Sequence, residues 1–141
     1  MQYARLMGID YGKARVGVAF SDLMKTIASA DHIYKTQSEE QDLLYFSNLI
    51  KEKNVDKVVV GLPLNADGTE SEMTLVVKDF GAKLSKLSGV DVCFQDERYT
   101  SFEADELLKE AGYKWEKRKE LLDKVAAQII LQDYINSNPN K

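Results

Sequence analysis

The sequence predicts an α/β fold, a mixed five-stranded sheet flanked by helices on both faces. Three observations lead there. The N-terminal quarter carries three strand-like runs separated by turn residues. Beyond it the pattern alternates between helical and strand periods. A helix between two single strands demands a crossover connection, which sets those strands parallel to one another and to the first.

Taken in order, "ARLMGID" and "RVGVAFS" are strand-like runs split by the Gly-containing turn "YGKA", and "IASADHIYK" reads as a third strand. The three form a meander, expected to be antiparallel. In "SEEQDLLYFSNLIKEKN", Leu43, Phe46, Leu49, Ile50 and Lys53 follow helical spacing, and Ser38 with Gln41 matches a capping box at the start. "DKVVVGLPL" is a continuous Val run flanked by turn residues, which suits a strand buried on both faces. Thr69 and Glu72 match a second capping box, ahead of a helix whose apolar face is expected to be Met73, Val76, Val77, Phe80, Leu84 and Leu87. The strand "VDVCFQDE" follows. Thr100 and Glu103 match a third capping box opening "SFEADELLKEAG", which closes on Gly112, and a final helix runs through "LLDKVAAQIILQDYI". The order is βββαβαβαα, expected as one domain over residues 1–136 with a flexible C-terminal tail at 137–141 and no internal repeat.

Composition narrows the chemistry. A chain of 141 residues is one domain's worth, with the apolar and charged fractions of an ordinary globular protein. The start "MQYARLMGID" lacks the basic and apolar runs of a signal peptide, and no segment approaches the ~20 apolar residues of a membrane helix, so a cytoplasmic protein without membrane contact is expected. Cys93 and His32 are the only residues of their kinds. That excludes an intramolecular disulfide and a Cys/His zinc site, and leaves a His-based triad one candidate base. Cys93, in "DVCFQ", suits a buried inert thiol. Any chemistry must rest mainly on carboxylates. The net charge of −4 argues against nonspecific coating of nucleic acid, though a local basic patch can still bind phosphates.

In mixed sheets of this kind ligands collect beyond the carboxyl ends of the parallel strands, and here those ends carry Asp10, then "GLPLN", then "DER". Asp10 alone is an ordinary turn residue. Around it, however, Gly8, Gly12 and Gly17 leave backbone bare for a ligand to approach, and Lys13 and Arg15 offer positive charge to a phosphate. At the second cluster, strand alternation sends Asp96 and Glu97 to opposite faces, and Glu97 is favoured as the functional acid; Asp96 paired with Arg98 at the surface is the plain alternative. Asp123 lies in an otherwise apolar helix, where a carboxylate is costly unless paired or metal-bound. Ala126 and Ala127 would let that helix approach the sheet. An Asp in a first helical turn, favoured by the dipole, needs no ligand and stays open as a second reading. Asp10, Glu97 and Asp123 together make an oxygen-only set suited to Mg²⁺ or Mn²⁺, and two such ions clamp the attacking and leaving oxygens of phosphodiester hydrolysis. The combination predicts a nuclease.

"GIDYG" with "RVGVA", "GLPLNADGTES", "DERYTS" and "DKVAAQIIL" follow one another in this order along nearly the whole chain. In these four blocks the sequence resembles the YqgF family, described as pre-16S rRNA nucleases and as Holliday junction resolvase-like proteins. The resemblance implies an RNase H-like fold with strand order 3-2-1-4-5, and the family's proposed catalytic and metal-binding acids fall on Asp10, Glu97 and Asp123. It makes Gly61, Pro63 and Asn65 candidate substrate residues beside two divalent ions. The basic run "YKWEKRK", with Lys114, Lys117, Arg118 and Lys119 around Trp115, is a candidate nucleic-acid contact, cations for phosphate and an aromatic for stacking; a solvated helix start fits it as well. Lys13, Arg15 and Arg98 are candidates to offset phosphate charge.

The expected function is a divalent-metal-dependent nuclease of structured RNA, acting on the 5′ end of the small-subunit rRNA precursor, alone or on the ribosome, as a monomer or weak homodimer. A Holliday junction resolvase acting on branched DNA as a dimer shares the chemistry. A non-catalytic nucleic-acid-binding module needs no metal. Sugar-kinase and actin-type ATPases have phosphate loops like "GIDYG", but pair two such domains where this chain has room for one.

Overall fold

The computed structural model describes residues 3–138. Of the tail expected at 137–141, Ser137 ends the last helix and Asn138 caps it; the rest lies outside the described residues. The elements are β1 (Arg5–Tyr11), β2 (Arg15–Ser21), β3 (Ala28–Lys35), α1 (Glu39–Glu52), β4 (Val55–Leu62), α2 (Glu72–Ser88), β5 (Asp91–Asp96), α3 (Thr100–Glu110) and α4 (Trp115–Ser137). One five-stranded sheet has the order β3-β2-β1-β4-β5. The meander β1-β2-β3 is antiparallel, and β4 pairs parallel with both β1 and β5.

Strand alternation sorts the sheet into two faces. On one, Met7, Ile9, Val16, Val18, Val58 and Val60 pack against Phe46, Leu49 and Ile50 of α1 and Val77, Phe80 and Leu84 of α2. On the other, Leu6, Ala19 and Val59, with Cys93 at the margin, meet Ala127, Ile130 and Leu131 of α4. Val58, Val59 and Val60 are fully buried in succession, as expected of a strand covered on both sides. Helix α3 rests on α4 through Ala104 and Ala126. Among the described residues no helix is long and apolar enough to cross a membrane.

The capping boxes need correction. At α1 only the Ser38 half forms: its side chain accepts from the Gln41 amide at 3.1 Å. At α2 the box is Ser71 with Thr74, each side chain accepting from the other's backbone N–H. Thr69 is spent on a turn, donating its hydroxyl and amide to Asp67 Oδ1. The buried face of α2 is accordingly Thr74, Val77, Phe80, Gly81 and Leu84, while Val76 and Leu87 are exposed. At α3, Thr100 is not the cap but the first helical residue, and Tyr99 precedes it in the left-handed region at φ 68° with no side-chain cap. Gly112, at φ 90°, ends α3 as expected. Helix α4 opens at Trp115 and takes in most of the basic run, since no Gly or Pro interrupts it.

Candidate active site

The same alternation places the acids. Leu6 and Gly8 face α4, so Asp10, two residues further, does too. On β5, Cys93 faces α4; Glu97, four residues on and just past the strand, continues that face because its amide still bonds the Leu62 carbonyl at 3.2 Å. Asp96 points away and pairs with Arg98 at 2.8 Å, leaving Glu97 as the acid that meets Asp10. From β2, Arg15 lies on the α4 face two residues before Gly17, and reaches Asp123.

What brings α4 to the strand ends is glycine rather than alanine. A Cβ on Gly17 would overlap the Asp123 carbonyl and stand 2.9 Å from the Lys124 nitrogen; one on Gly8 would stand 2.8 Å from Leu131 Cβ. Gly8 and Gly17 therefore serve helix-on-sheet contact and do not open the backbone to a ligand. Gly12 belongs to the turn, its amide bonding the Arg15 carbonyl at 2.9 Å. Gly61 is buried, and a Cβ there would meet Ile130 and the Glu97 carboxyl carbon at 3.0 Å. Its bare backbone is the floor on which Glu97 lies, so it is out of a substrate's reach.

Asp10, Glu97 and Asp123 line a single cleft of about 560 Å³ with Lys13, Pro63 and Arg98. The Glu97 carboxyl donates a hydrogen bond to the Asp10 carboxylate. Burial first, then the charge of its neighbour, pushes Glu97 up to about 9. Burial, with the Asp123 charge added, pushes Asp10 to about 6 against the hydrogen bond from Glu97. Each carboxyl is therefore held toward its protonated form by burial and by the other acids of the cleft. Asp123, only half-buried, lies more than two turns inside α4, which rules out the first-turn dipole reading. Its Oδ2 takes the Arg15 Nε at 3.0 Å. With Asp123 so held, no three His, Cys, Asp or Glu side chains among the described residues are grouped to hold an ion as they stand.

The remaining candidates divide. Lys13 is exposed at the rim. Arg98 is committed: besides Asp96 it donates Nη1 to the Ala66 carbonyl at 3.1 Å, bracing the β4–α2 loop. Pro63 lends its carbonyl to Thr74, and exposed Asn65 binds Thr69 within that loop. The basic run lies outside the acidic cleft, around a second groove of about 350 Å³ lined by Arg15, Trp115, Glu116, Lys119 and Glu120. Arg118 is tied to Asp105 at 2.7 Å and sits over the Trp115 ring; Lys117 pairs with Glu120 at 3.3 Å; Lys114 precedes the helix. Residues not proposed for the site from the sequence also line the cleft: Tyr11, Met73, Tyr99 and Ser101. Their position next to "GID", "TES" and "DER" was the available signal. His32 lies elsewhere, bridging Asp31 at 2.6 Å and Tyr45 at 2.7 Å on β3. Cys93 is half-buried with its thiol pushed up by burial, in keeping with an inert role.

Carboxylates at the ends of β1 and β5, beneath a helix carrying a third, define the class: an RNase H-like domain of the resolvase type. Two solved structures show that fold. A Thermus thermophilus RuvC in complex with a Holliday junction substrate superposes with a TM-score of 0.62 at 15% identity, covering 99% of each chain. A fowlpox virus resolvase in complex with Holliday junction DNA gives 0.56 at 14% identity, covering 94% of this chain and 97% of that one. A family model described as "RuvX: Holliday junction resolvase" matches residues 4–137. A protein of Syntrophomonas wolfei named "Putative pre-16S rRNA nuclease" is 41% identical over 132 residues, 94% of both chains. One from Lactococcus lactis with the same name is 38% identical over 141 residues, 99% of both. The chain belongs to the RuvX (YqgF) family.

Proposed function

We propose that this chain is a nuclease that hydrolyses phosphodiester bonds in structured nucleic acid, with divalent ions held by Asp10, Glu97 and Asp123. The observation that carries the reading is the convergence of Asp10, at the end of β1, and Glu97, just past the end of β5, on one cleft that Asp123 of α4 also lines. An all-oxygen donor set in a cleft open to substrate fits Mg²⁺ or Mn²⁺, two of its members already converge, and Asp123 needs only to leave Arg15. A divalent cation bound there supplies charge against the scissile phosphate and lowers the pKa of an attacking water. Asp10, Glu97 and Asp123 would hold such an ion as carboxylates. The β5 backbone and the Gly61 floor orient Glu97, while the β2–α4 contact positions Asp123. Lys13 at the rim offsets phosphate charge. Pro63, with Arg98 holding the loop behind it, shapes the wall the strand lies against.

The names of the relatives support the small-subunit rRNA precursor as substrate, and the 5′ end is our proposal for where it is cut. Asp10→Asn, assayed with Mg²⁺ or Mn²⁺ on a precursor rRNA end, is expected to lose cleavage; an undiminished rate overturns the reading. In a second reading a dimer cuts branched DNA; the family description and the junction complexes of the structural neighbours favour that substrate. Comparing cleavage of a four-way DNA junction with that of a structured RNA, alongside the mass in solution, separates the two.

A further inference from the structure

Arg15 links the two hollows through Asp123. It lines the Trp115 groove, and its Nε reaches the Asp123 carboxylate at the edge of the acidic cleft. Its two Nη atoms make no hydrogen bond among the described residues. The Asp123 backbone cannot shift, because its carbonyl rests on Gly17, so whatever Asp123 does must be done by rotating its side chain. While Arg15 holds that side chain, the three acids are not grouped for an ion.

Competition for Arg15 decides the rest. The ion pair is partly open to water, with 51% of the arginine side chain and 25% of the aspartate exposed, and such pairs are weak. A phosphate accepts a guanidinium through two parallel hydrogen bonds, where Asp123 takes only Nε. Next to Arg15 in the groove, Trp115 is 60% exposed and Lys119 is solvated, a stacking surface and a second cation for one nucleotide of a single strand.

We propose that Arg15 is a substrate-operated latch: in the free protein it holds Asp123 away from Asp10 and Glu97, and a strand phosphate entering the Trp115 groove takes its guanidinium and releases Asp123 into the cleft. The inference rests on the nuclease reading of that cleft. It makes the third ligand available only when nucleic acid is seated, so ion and strand bind cooperatively, each tightening the other by the same factor.

Calorimetric titration of Mn²⁺ into the full chain tests this without any turnover. Arg15→Gln is expected to bind Mn²⁺ about two- to fivefold more tightly than the native protein, the equivalent of ~0.5–1 kcal/mol for a partly exposed pair. In an Asp123→Asn background the same change is expected to do nothing, since no carboxylate remains to be released. An equal gain in both backgrounds is a general charge effect and overturns the latch. A hydrolysis-resistant phosphorothioate 2′-O-methyl RNA strand is expected to tighten Mn²⁺ binding to the native chain and not to Arg15→Gln; an equal response of the two also overturns it. Either failure leaves the nuclease reading standing if Asp10→Asn still abolishes cleavage, whereas retained cleavage by Asp10→Asn removes that reading itself.

Discussion

Gly17→Ala is the sharpest test of how the site is built. The added Cβ would overlap the Asp123 carbonyl group and come within 2.9 Å of the Lys124 nitrogen, against an ordinary contact of 3.4 Å or more. The obstacle is the backbone of a 23-residue helix, not the tip of a flexible side chain, so α4 has to retreat by about 1 Å or more from β2. That retreat loosens Ala127, Ile130 and Leu131 on the sheet, all of them buried. Overpacking of this kind costs about 3 kcal/mol, the upper end of its usual range, and lowers Tm by roughly 10 °C for a chain of this size. The same displacement moves Asp123 relative to Asp10 and Glu97, and a misplacement of about 1 Å is worth about a hundredfold in rate. Calorimetric melting and cleavage of a precursor rRNA end read the two effects separately. A Gly17→Ala protein that melts within about 1 °C of the native one and cleaves at full rate would refute the close approach as the means of positioning Asp123.

Gly61→Ala should behave differently, because its Cβ meets the movable end of Ile130 and the Glu97 carboxyl: a stability cost of about 1 kcal/mol by urea titration, with a cleavage loss larger than that cost explains. The metal-free protein should lose stability as pH rises. Asp10 and Glu97 are both raised in the folded state, so the unfolded chain releases their protons first; the stability they confer is full below about pH 4 and is lost as pH climbs through about 6 and about 9. Melting in chelator across that range checks this, and Asp10→Asn should flatten the decline. Ser71→Ala should cost about 1 kcal/mol through the lost α2 cap, whereas Thr69→Ala leaves the cap hydrogen bonds of α2 intact; equal costs would count against the reassigned capping box.

That the three acids come to one cleft was legible because each breaks a pattern visible in one dimension. Asp10 and Glu97 end apolar strands at even spacing from residues that face the core, and Asp123 interrupts an apolar helix. The parallel setting of β1, β4 and β5 followed from the helices between them, whereas their order in the sheet was what the family resemblance implied. The glycines were misread because a sequence says that Gly8 and Gly17 lack side chains and not which helix fills the space. The cap at Thr69 failed because Asp67 competes locally for the same hydroxyl and amide. Arg15 was visible as a cation near Asp10, but its partner lies 108 residues away in sequence, beyond any periodic signal.

An acidic chain that binds a polyanion has to assemble charges that repel one another and the substrate alike. The Glu97–Asp10 hydrogen bond and the partly exposed Arg15–Asp123 pair do little more than relieve the repulsion among the three acids. The assembly is held by apolar packing instead, β1 by Met7 and Ile9, β4 by its buried valines, β5 by Val92 and Phe94 at the core's margin, and α4 by Ala127, Ile130 and Leu131 seated over glycines. That division has a consequence for variation. Under the proposed function, substitutions that spare the packing are expected to remove any one acid and leave a folded, inactive protein, since each removal eases repulsion. Substitutions at Gly17 strike fold and site together. Asp10→Asn should therefore melt at or above the native temperature while losing cleavage, and an Asp10→Asn protein that is both inactive and unfolded would show that the carboxyl pair holds the sheet ends together rather than burdening them.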